Sequence, residues 1–450
     1  MRLGKPGLDE YEKLGFRRLE MSMSNDRNPL EIAKKLGTSI GGKLGQKSFE
    51  ELELALVTKL FPKKFANIQT LRTRQHILLY WRRGFLKTTL LREFSKTIPE
   101  QFKVVHLSSV TTEILCGSIY VSKATFQQPR IIPPVLTGAD FAIVTEHSAF
   151  LKHGGPIVAK LSILNDILEG DRISNTLVKL GQVQIDPTQK PELEKLGVRY
   201  DPSEATISYE PDVLMLSASH PFDRKTLSVL IDSGHFDRFF VLQARITPEI
   251  AKKCFKEDYS LDKDLQDQLK QYNERLCRVK IKYIDAPPHV LLKPVYEKLF
   301  TLTETPDFRI KGDILRTAAA HMVLRHFSQG NVKEIYTEQD YSLEDVNFIS
   351  EELSNFVEPR LNPLVAEGYT GRSRKRDFAK NHICSFLEGS KREGKIGEPL
   401  RAIVAYVHSK MPYVHYQTIN NAKNELIKEG KVEKVPGTRG YYRLVEKKVG

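Results

Sequence analysis

Hydrophobic positions along the chain follow two periods, and the places where one gives way to the other set the predicted element order. Residues 77–81, 140–146, 213–221 and 239–242 are short, nearly continuous apolar runs, as expected of strands buried on both faces, and 102–107 is a further strand candidate. Between them apolar residues recur at helical spacing, over 29–36, 49–61, 161–168 and 227–231 and at Leu90, Leu91 and Phe94. From 247 to about 300 the chain reads as helical and charged. A long helix follows over 310–327, with Ile314, Leu315, Ala318, Ala319 and Met322 on its apolar side, and another over 343–353. Gly41, Gly42 and Gly45 predict a turn between the first two helices, 108–138 reads as irregular, and 172–208 reads as hairpin-like. Buried strands alternating with helices predict an α/β fold around a parallel sheet, with functional residues at the strand carboxyl ends.

Candidate chemistry concentrates in 76–94. The apolar run leads through Gly84-Phe85-Leu86-Lys87-Thr88-Thr89 into a helical pattern. Strand, tight turn and a helix beginning Lys-Thr is the layout of a P-loop. There the helix N-terminal N–H groups cradle phosphates, Lys87 reaches the β/γ-phosphates and Thr88 is a ligand of Mg2+. The full motif has Gly where this chain has Trp81 and Leu86, so an ordinary βα turn is the competing reading. The run 140–146 ends in Glu146, where a P-loop ATPase carries an acidic pair that holds Mg2+ and polarises water. Thr145 stands at the Asp position, and a buried strand with a chance terminal Glu fits equally.

The last 80 residues have a different pattern. Helices fit 377–388, 398–410 and 417–429. A β-hairpin fits 431–435 and 441–445, joined by Pro436-Gly437-Thr438-Arg439-Gly440. This is the pattern of an α+β winged helix, with Gln417, Asn420, Asn421 and Lys423 on the candidate recognition helix and Arg439 on the wing. Charge sharpens the picture. The chain carries +13, and residues 371–450 hold 18 Lys+Arg against 8 Asp+Glu, so the rest is near neutral. Such a local excess suits a polyanion, DNA above all, with a solvated or protein-binding surface as the plainer alternative. Cys116, Cys254, Cys277 and Cys384 are too scattered for a zinc knuckle or a disulfide framework. No apolar run reaches membrane-spanning length and the N-terminus has no signal-peptide core, so the chain reads as intracellular and cytoplasmic.

Several stretches stand in a telling order. Ser39-Ile40-Gly41-Gly42-Lys43-Leu44-Gly45 precedes a helix ending Lys59-Leu60-Phe61. Arg83-Gly84-Phe85-Leu86-Lys87-Thr88 and Leu136-Thr137-Gly138-Ala139-Asp140-Phe141-Ala142-Ile143-Val144-Thr145-Glu146 follow. Next come Leu164-Asn165-Asp166-Ile167-Leu168-Glu169-Gly170 with Ile173-Ser174 and Lys179, then Ser217-Ala218-Ser219-His220-Pro221, then His235-Phe236-Asp237. Arg309 lies seven residues before Arg316. In this sequence of segments the chain resembles the minichromosome maintenance (MCM) helicases of the AAA+ class, whose variant P-loop has Ala rather than Gly before the lysine. The resemblance covers about 28–356 and 377–446.

The resemblance implies an AAA+ P-loop ATPase base over 28–284, a helical lid over 285–356, a linker over 357–376 and a winged helix over 377–450. A loosely ordered arm over 1–27 would stand in place of the family's N-terminal domain. It implies ATP and Mg2+ at Gly84, Phe85, Leu86, Lys87, Thr88 and Thr89, with Glu146 orienting water. His220 would occupy the sensor 1 position, where the family has Asn, and Arg309 the sensor 2 position. His235 stands in place of the finger arginine, with Arg238 as its substitute. Lys179, Lys190 and Lys195 would belong to an enlarged hairpin that grips DNA, and Asp140 or a neighbouring subunit would supply the missing carboxylate. The implied function is an ATP-dependent helicase or translocase on single-stranded DNA in replication, working as a homo-oligomeric ring, a hexamer. The replacements at Thr145, His220 and His235 sustain a second expectation: a nucleotide-binding, DNA-binding assembly factor with little or no hydrolysis.

Overall fold

The computed structural model of the chain describes residues 28–81, 83–108, 111–120, 130–152, 157–176, 187–222, 224–244, 260–302, 308–361, 372–410, 416–438 and 440–445. The N-terminal arm, Lys179 and Arg439 lie outside the described residues. The four apolar runs and the further candidate are strands: His76–Tyr80 (β1), Val104–His106 (β2), Phe141–Val144 (β3), Leu214–Ser219 (β4) and Phe239–Gln243 (β5). They form one all-parallel sheet in the order β5-β1-β4-β3-β2. Leu216 fixes the centre of the register, pairing with Ile77 on one side and Ile143 on the other.

Alternation along the strands divides the interior in two. Ile77, Leu79, Phe141, Ile143, Leu214, Leu216, Phe240 and Leu242 enter one core, while Leu78, Tyr80, Ala142, Val144, Met215, Phe239 and Val241 enter the other. The first core is covered by helices Pro29–Thr58 (α1), Lys87–Ser95 (α2), Lys263–Leu276 (α4), His289–Leu302 (α5), Phe308–Ser328 (α6) and Leu343–Leu361 (α7). The second is covered chiefly by Ile157–Glu169 (α3). Asn28 caps α1 by accepting from the Leu30 N–H at 3.0 Å.

Three expectations about organisation meet the structure here. Residues on both sides of the expected 284/285 boundary share one apolar cluster, Ile314, Ala318 and Val323 of α6 with Leu36, Leu56 and Phe240. The linker composition at 357–376 is helical at both ends: α7 runs to Leu361, and the next helix begins at Arg372. The stretch 108–138, read as irregular, contains a helix Thr112–Cys116 and the antiparallel pair Ser118–Tyr120 and Arg130–Ile132.

The hairpin-like region is an antiparallel sheet in which Thr206–Tyr209 lies between Ile173–Thr176 and Arg199–Asp201, with a short helix Lys190–Lys195 preceding it. The C-terminal unit has its own core. Helices Arg372–Arg392 (α8), Leu400–Lys410 (α9) and Tyr416–Lys428 (α10) bury Ile383, Leu387, Ile403, Val407, Ile419 and Leu426 with Val432 and Tyr442 of the expected hairpin. Residues 398 and 399, expected in a helix, form a third strand paired with Tyr441 and Tyr442, ahead of α9.

The Gly-rich segment has a specific structural use. α1 breaks at Gly41 (φ −152°, ψ 22°) and Gly42 (φ 56°, ψ −139°) and doubles back so that Gly37 and Gly45 touch backbone to backbone. A Cβ on either glycine would overlap the carbonyl of the other. Gly45→Ala is therefore expected to destabilise the chain by about 1–3 kcal/mol, as overpacking does, read as a lower urea midpoint at unchanged slope. An unchanged midpoint would show that this contact does not hold the two halves of α1 together.

Candidate phosphate-binding site and the opposite sheet edge

Because the strands are parallel, all their carboxyl ends lie along one edge. The loop leaving β1 there is stapled twice: the Trp81 indole N–H donates to the Phe85 carbonyl at 2.8 Å, and Lys87 Nζ donates to the Trp81 carbonyl at 2.7 Å. Trp81 is buried where the motif has its first Gly, and the Lys87 amine lies 5.5 Å from the centre of its ring. Leu86, at the second Gly position, caps α2 with left-handed backbone (φ 60°), a conformation that disfavours any side chain. Gly84 is also left-handed (φ 82°). The turn thus takes a glycine-demanding shape despite its leucine.

Lys87 is buried at the first turn of α2, and burial lowers its amine to about 8; nearby Arg83 pushes the same way and Glu146 opposes both. Thr88 donates to the Thr145 carbonyl at 3.4 Å, tying α2 to the end of β3. Glu146 lies just beyond. Its Oε1 accepts from Ser148 Oγ at 2.7 Å and lies 2.9 Å from His220 Nδ1 at the end of β4. Partial burial raises this carboxyl, but the hydrogen bonds from Ser148 and His220 outweigh it and hold Glu146 below its ordinary value, ionised at neutral pH. Arg83 Nη2 reaches His220 Nε2 at 3.0 Å and completes the cluster.

This donor set fits a polyphosphate. A buried amine, an arginine and the first-turn N–H groups of α2 meet a single carboxylate, while Thr88 and Thr89 are exposed on the same turn. Mg2+ would find the Thr88 hydroxyl and would otherwise keep water and substrate oxygens, as this ion commonly does. Among the described residues no group of three His, Cys, Asp or Glu forms a self-sufficient metal site. Asp140 cannot supply the missing acid. It precedes β3 at the far edge, where Lys59 Nζ (3.1 Å) and the Lys103 N–H (3.0 Å) hold it.

Arg238 and Arg309 do not join the cluster. Arg238 immediately precedes β5, at the amino edge of the sheet, and Glu169 at the end of α3 holds both: Arg238 Nε at 3.0 Å and Arg309 Nη1 at 3.3 Å from the same Oε1. His76, first residue of β1, bonds the Leu168 carbonyl at 2.9 Å, which fixes Glu169 at that edge, about 13 Å from the β1–α2 loop along a five-residue strand. His235, in the finger arginine's place, is buried rather than presented. Its Nδ1 lies 2.7 Å from Asn165 Oδ1 and its Nε2 lies 3.0 Å from His147 Nε2, with Phe239 edge-on to its ring.

Of the DNA candidates, Lys190 and Lys195 are exposed on their short helix. Gln417 and Asn421 are exposed on α10, and Asn420 is partly buried with its Oδ1 unpaired. Lys423 is a correction: it is buried, donating to the Tyr442 hydroxyl at 3.1 Å and lying 4.4 Å from that ring's centre, so it holds the hairpin to α10. Asn424 and Lys428 continue the exposed stripe of Gln417 and Asn421, a face that helical spacing of polar residues could have found. Arg83, Ser148 and Glu169 were also missed. Arg83 adjoins the P-loop glycine, whereas nothing local marks the other two.

Three buried histidines stay neutral. Burial lowers His76 to about 4 and His147 to about 3, and holds His235 well below the ordinary histidine value. An unfolded histidine takes its proton near 6.5, so each of these subtracts up to about 1.4 kcal/mol of stability per unit as pH falls below that value. Glu51 and Glu53, raised by burial to about 8, act in the opposite direction, so the readable quantity is a difference between variants. His147→Phe is expected to gain on the wild type by about 1 kcal/mol per unit between pH 6 and 4 in urea titrations, whatever its offset at pH 7. A pH-independent difference would show that His147 titrates normally.

No protein-family model matches the chain, and no curated protein sequence matches it closely enough to count as a relative.

Proposed function

We propose that the chain is an ATP-driven AAA+ motor of the minichromosome maintenance type, working on DNA as a ring. The observation that carries this reading is the division of charged groups between the two sheet edges: Lys87, Glu146 and His220 at one, Arg238 and Arg309 gathered on Glu169 at the other. A ring of like subunits brings one edge against the next subunit's other edge, a heterologous contact that closes by rotation. The sheet order, with the His220 strand between the strand that leads to Lys87 and the Glu146 strand, differs from the common doubly wound orders.

In this reading Lys87 exchanges the Trp81 carbonyl for β- and γ-phosphate oxygens, and the α2 N-terminus takes the remaining charge. Glu146 is ionised and held by two donors, a state suited to orienting water. Arg238 and Arg309 leave Glu169 to meet the developing charge from across the interface. The exposed Lys190 and Lys195, and the stripe Gln417, Asn421, Asn424 and Lys428 on a winged-helix C-terminal unit, offer phosphate and base-edge contacts. The second reading, a DNA-binding assembly factor that hydrolyses ATP weakly, is favoured by Thr145 in place of an Asp and by a Glu146 already engaged by Ser148 and His220.

Hydrolysis separates the two. The motor reading expects phosphate release stimulated by single-stranded DNA and lowered at least about 100-fold by Glu146→Gln, which removes the charge that polarises water. ATP binding without hydrolysis above that variant would establish the assembly-factor reading instead. In the same preparation, Gln417→Ala with Lys428→Ala should weaken duplex binding and flatten its salt dependence. Unchanged DNA affinity would remove α10 from the interface.

A further inference from the structure

The proton on His220 can be assigned from its partners. Arg83 has only donors to offer, so the contact of its Nη2 with His220 Nε2 at 3.0 Å makes Nε2 the acceptor. The ring proton then sits on Nδ1, facing Glu146 Oε1 at 2.9 Å. Ser148 fits the same assignment: its hydroxyl hydrogen goes to Glu146 at 2.7 Å, and its oxygen stands 3.2 Å from Nδ1. With both nitrogens committed, His220 has no donor left for a phosphate, and the cluster's outward-facing donor is the exposed guanidinium of Arg83.

The charges agree. Lys87 and Arg83 are close enough for Arg83 to depress the lysine, and Glu146 is the carboxylate that acts on Lys87. Among the described residues Arg83 meets a neutral ring nitrogen and forms no ion pair. Two cations held beside one carboxylate are relieved by an anion, and a forked guanidinium suits a terminal phosphate better than a bridging one.

We infer that Arg83 reads the γ-phosphate in this chain, with His220 and Glu146 as positioning residues that hold its guanidinium, so that Arg83 sets the preference for ATP over ADP. The inference rests on the P-loop reading. Isothermal titration of ATP and ADP with Mg2+ into the full chain tests it, using wild type, Arg83→Ala, Arg83→Lys and Lys87→Ala. Arg83→Ala should bind ATP roughly tenfold more weakly with ADP affinity unchanged, Arg83→Lys should fall between, and Lys87→Ala should lose both nucleotides. If Arg83→Ala keeps the wild-type preference, or loses ATP and ADP equally, the inference is overturned while the P-loop reading stands. A wild type that binds neither nucleotide overturns both.

Discussion

Everything at the candidate site follows from five strands running the same way in one register. Parallel strands cannot turn back on themselves, so each is followed by a crossover, and every carboxyl end reaches the same edge. That geometry gathers Lys87 after β1, Glu146 after β3 and His220 after β4 from positions 59 to 133 residues apart in the chain. It also sends what precedes a strand to the other edge, which is why Arg238 lies with Glu169 and Arg309 rather than beside Lys87. Full burial of β1, β3 and β4 makes the register rigid, since a slip of one residue would exchange the contents of the two cores.

The β1–α2 loop shows how a tight turn is held with a tryptophan and a leucine where the P-loop motif has glycines. Trp81 replaces the first with a side chain that closes the turn through its own N–H, and its carbonyl seats Lys87. Leu86 takes the left-handed backbone that the second glycine would have entered freely, and packs against the first core alongside Phe85. A left-handed leucine costs of order 1–2 kcal/mol, and apolar packing of that side chain offsets a comparable amount. The loop is therefore held by its neighbours rather than by its own conformational preferences.

The parallel sheet was legible because buried strands are short apolar runs whatever their partners, and the helix over 310–327 because three turns of apolar side chains admit one period. Local context placed Lys87 and Glu146 at strand carboxyl ends, and the structure has both there. Lys423 was misjudged, because a lysine among amides on a predicted helix reads as a surface residue until Tyr442 is seen across from it. The buried setting of His235 was not legible, because its neighbours His147 and Asn165 lie 88 and 70 residues away. The missed Glu169 latch is a tertiary contact between three segments, and no spacing rule finds such a contact. Charged composition also concealed the helical ends at 357–361 and 372–376, where sequence suggested a linker.

The central claim is that a working site needs the carboxyl edge of one subunit and the amino edge of another. Mixing two inactive variants tests it directly. Lys87→Ala subunits keep Arg238 and Arg309, while subunits carrying Arg238→Ala and Arg309→Ala keep Lys87, so a mixed ring contains some interfaces with every group intact. The account predicts that DNA-stimulated ATP hydrolysis, absent from either variant alone, returns on mixing them. A mixture as inactive as its components, under conditions where both assemble, would contradict it.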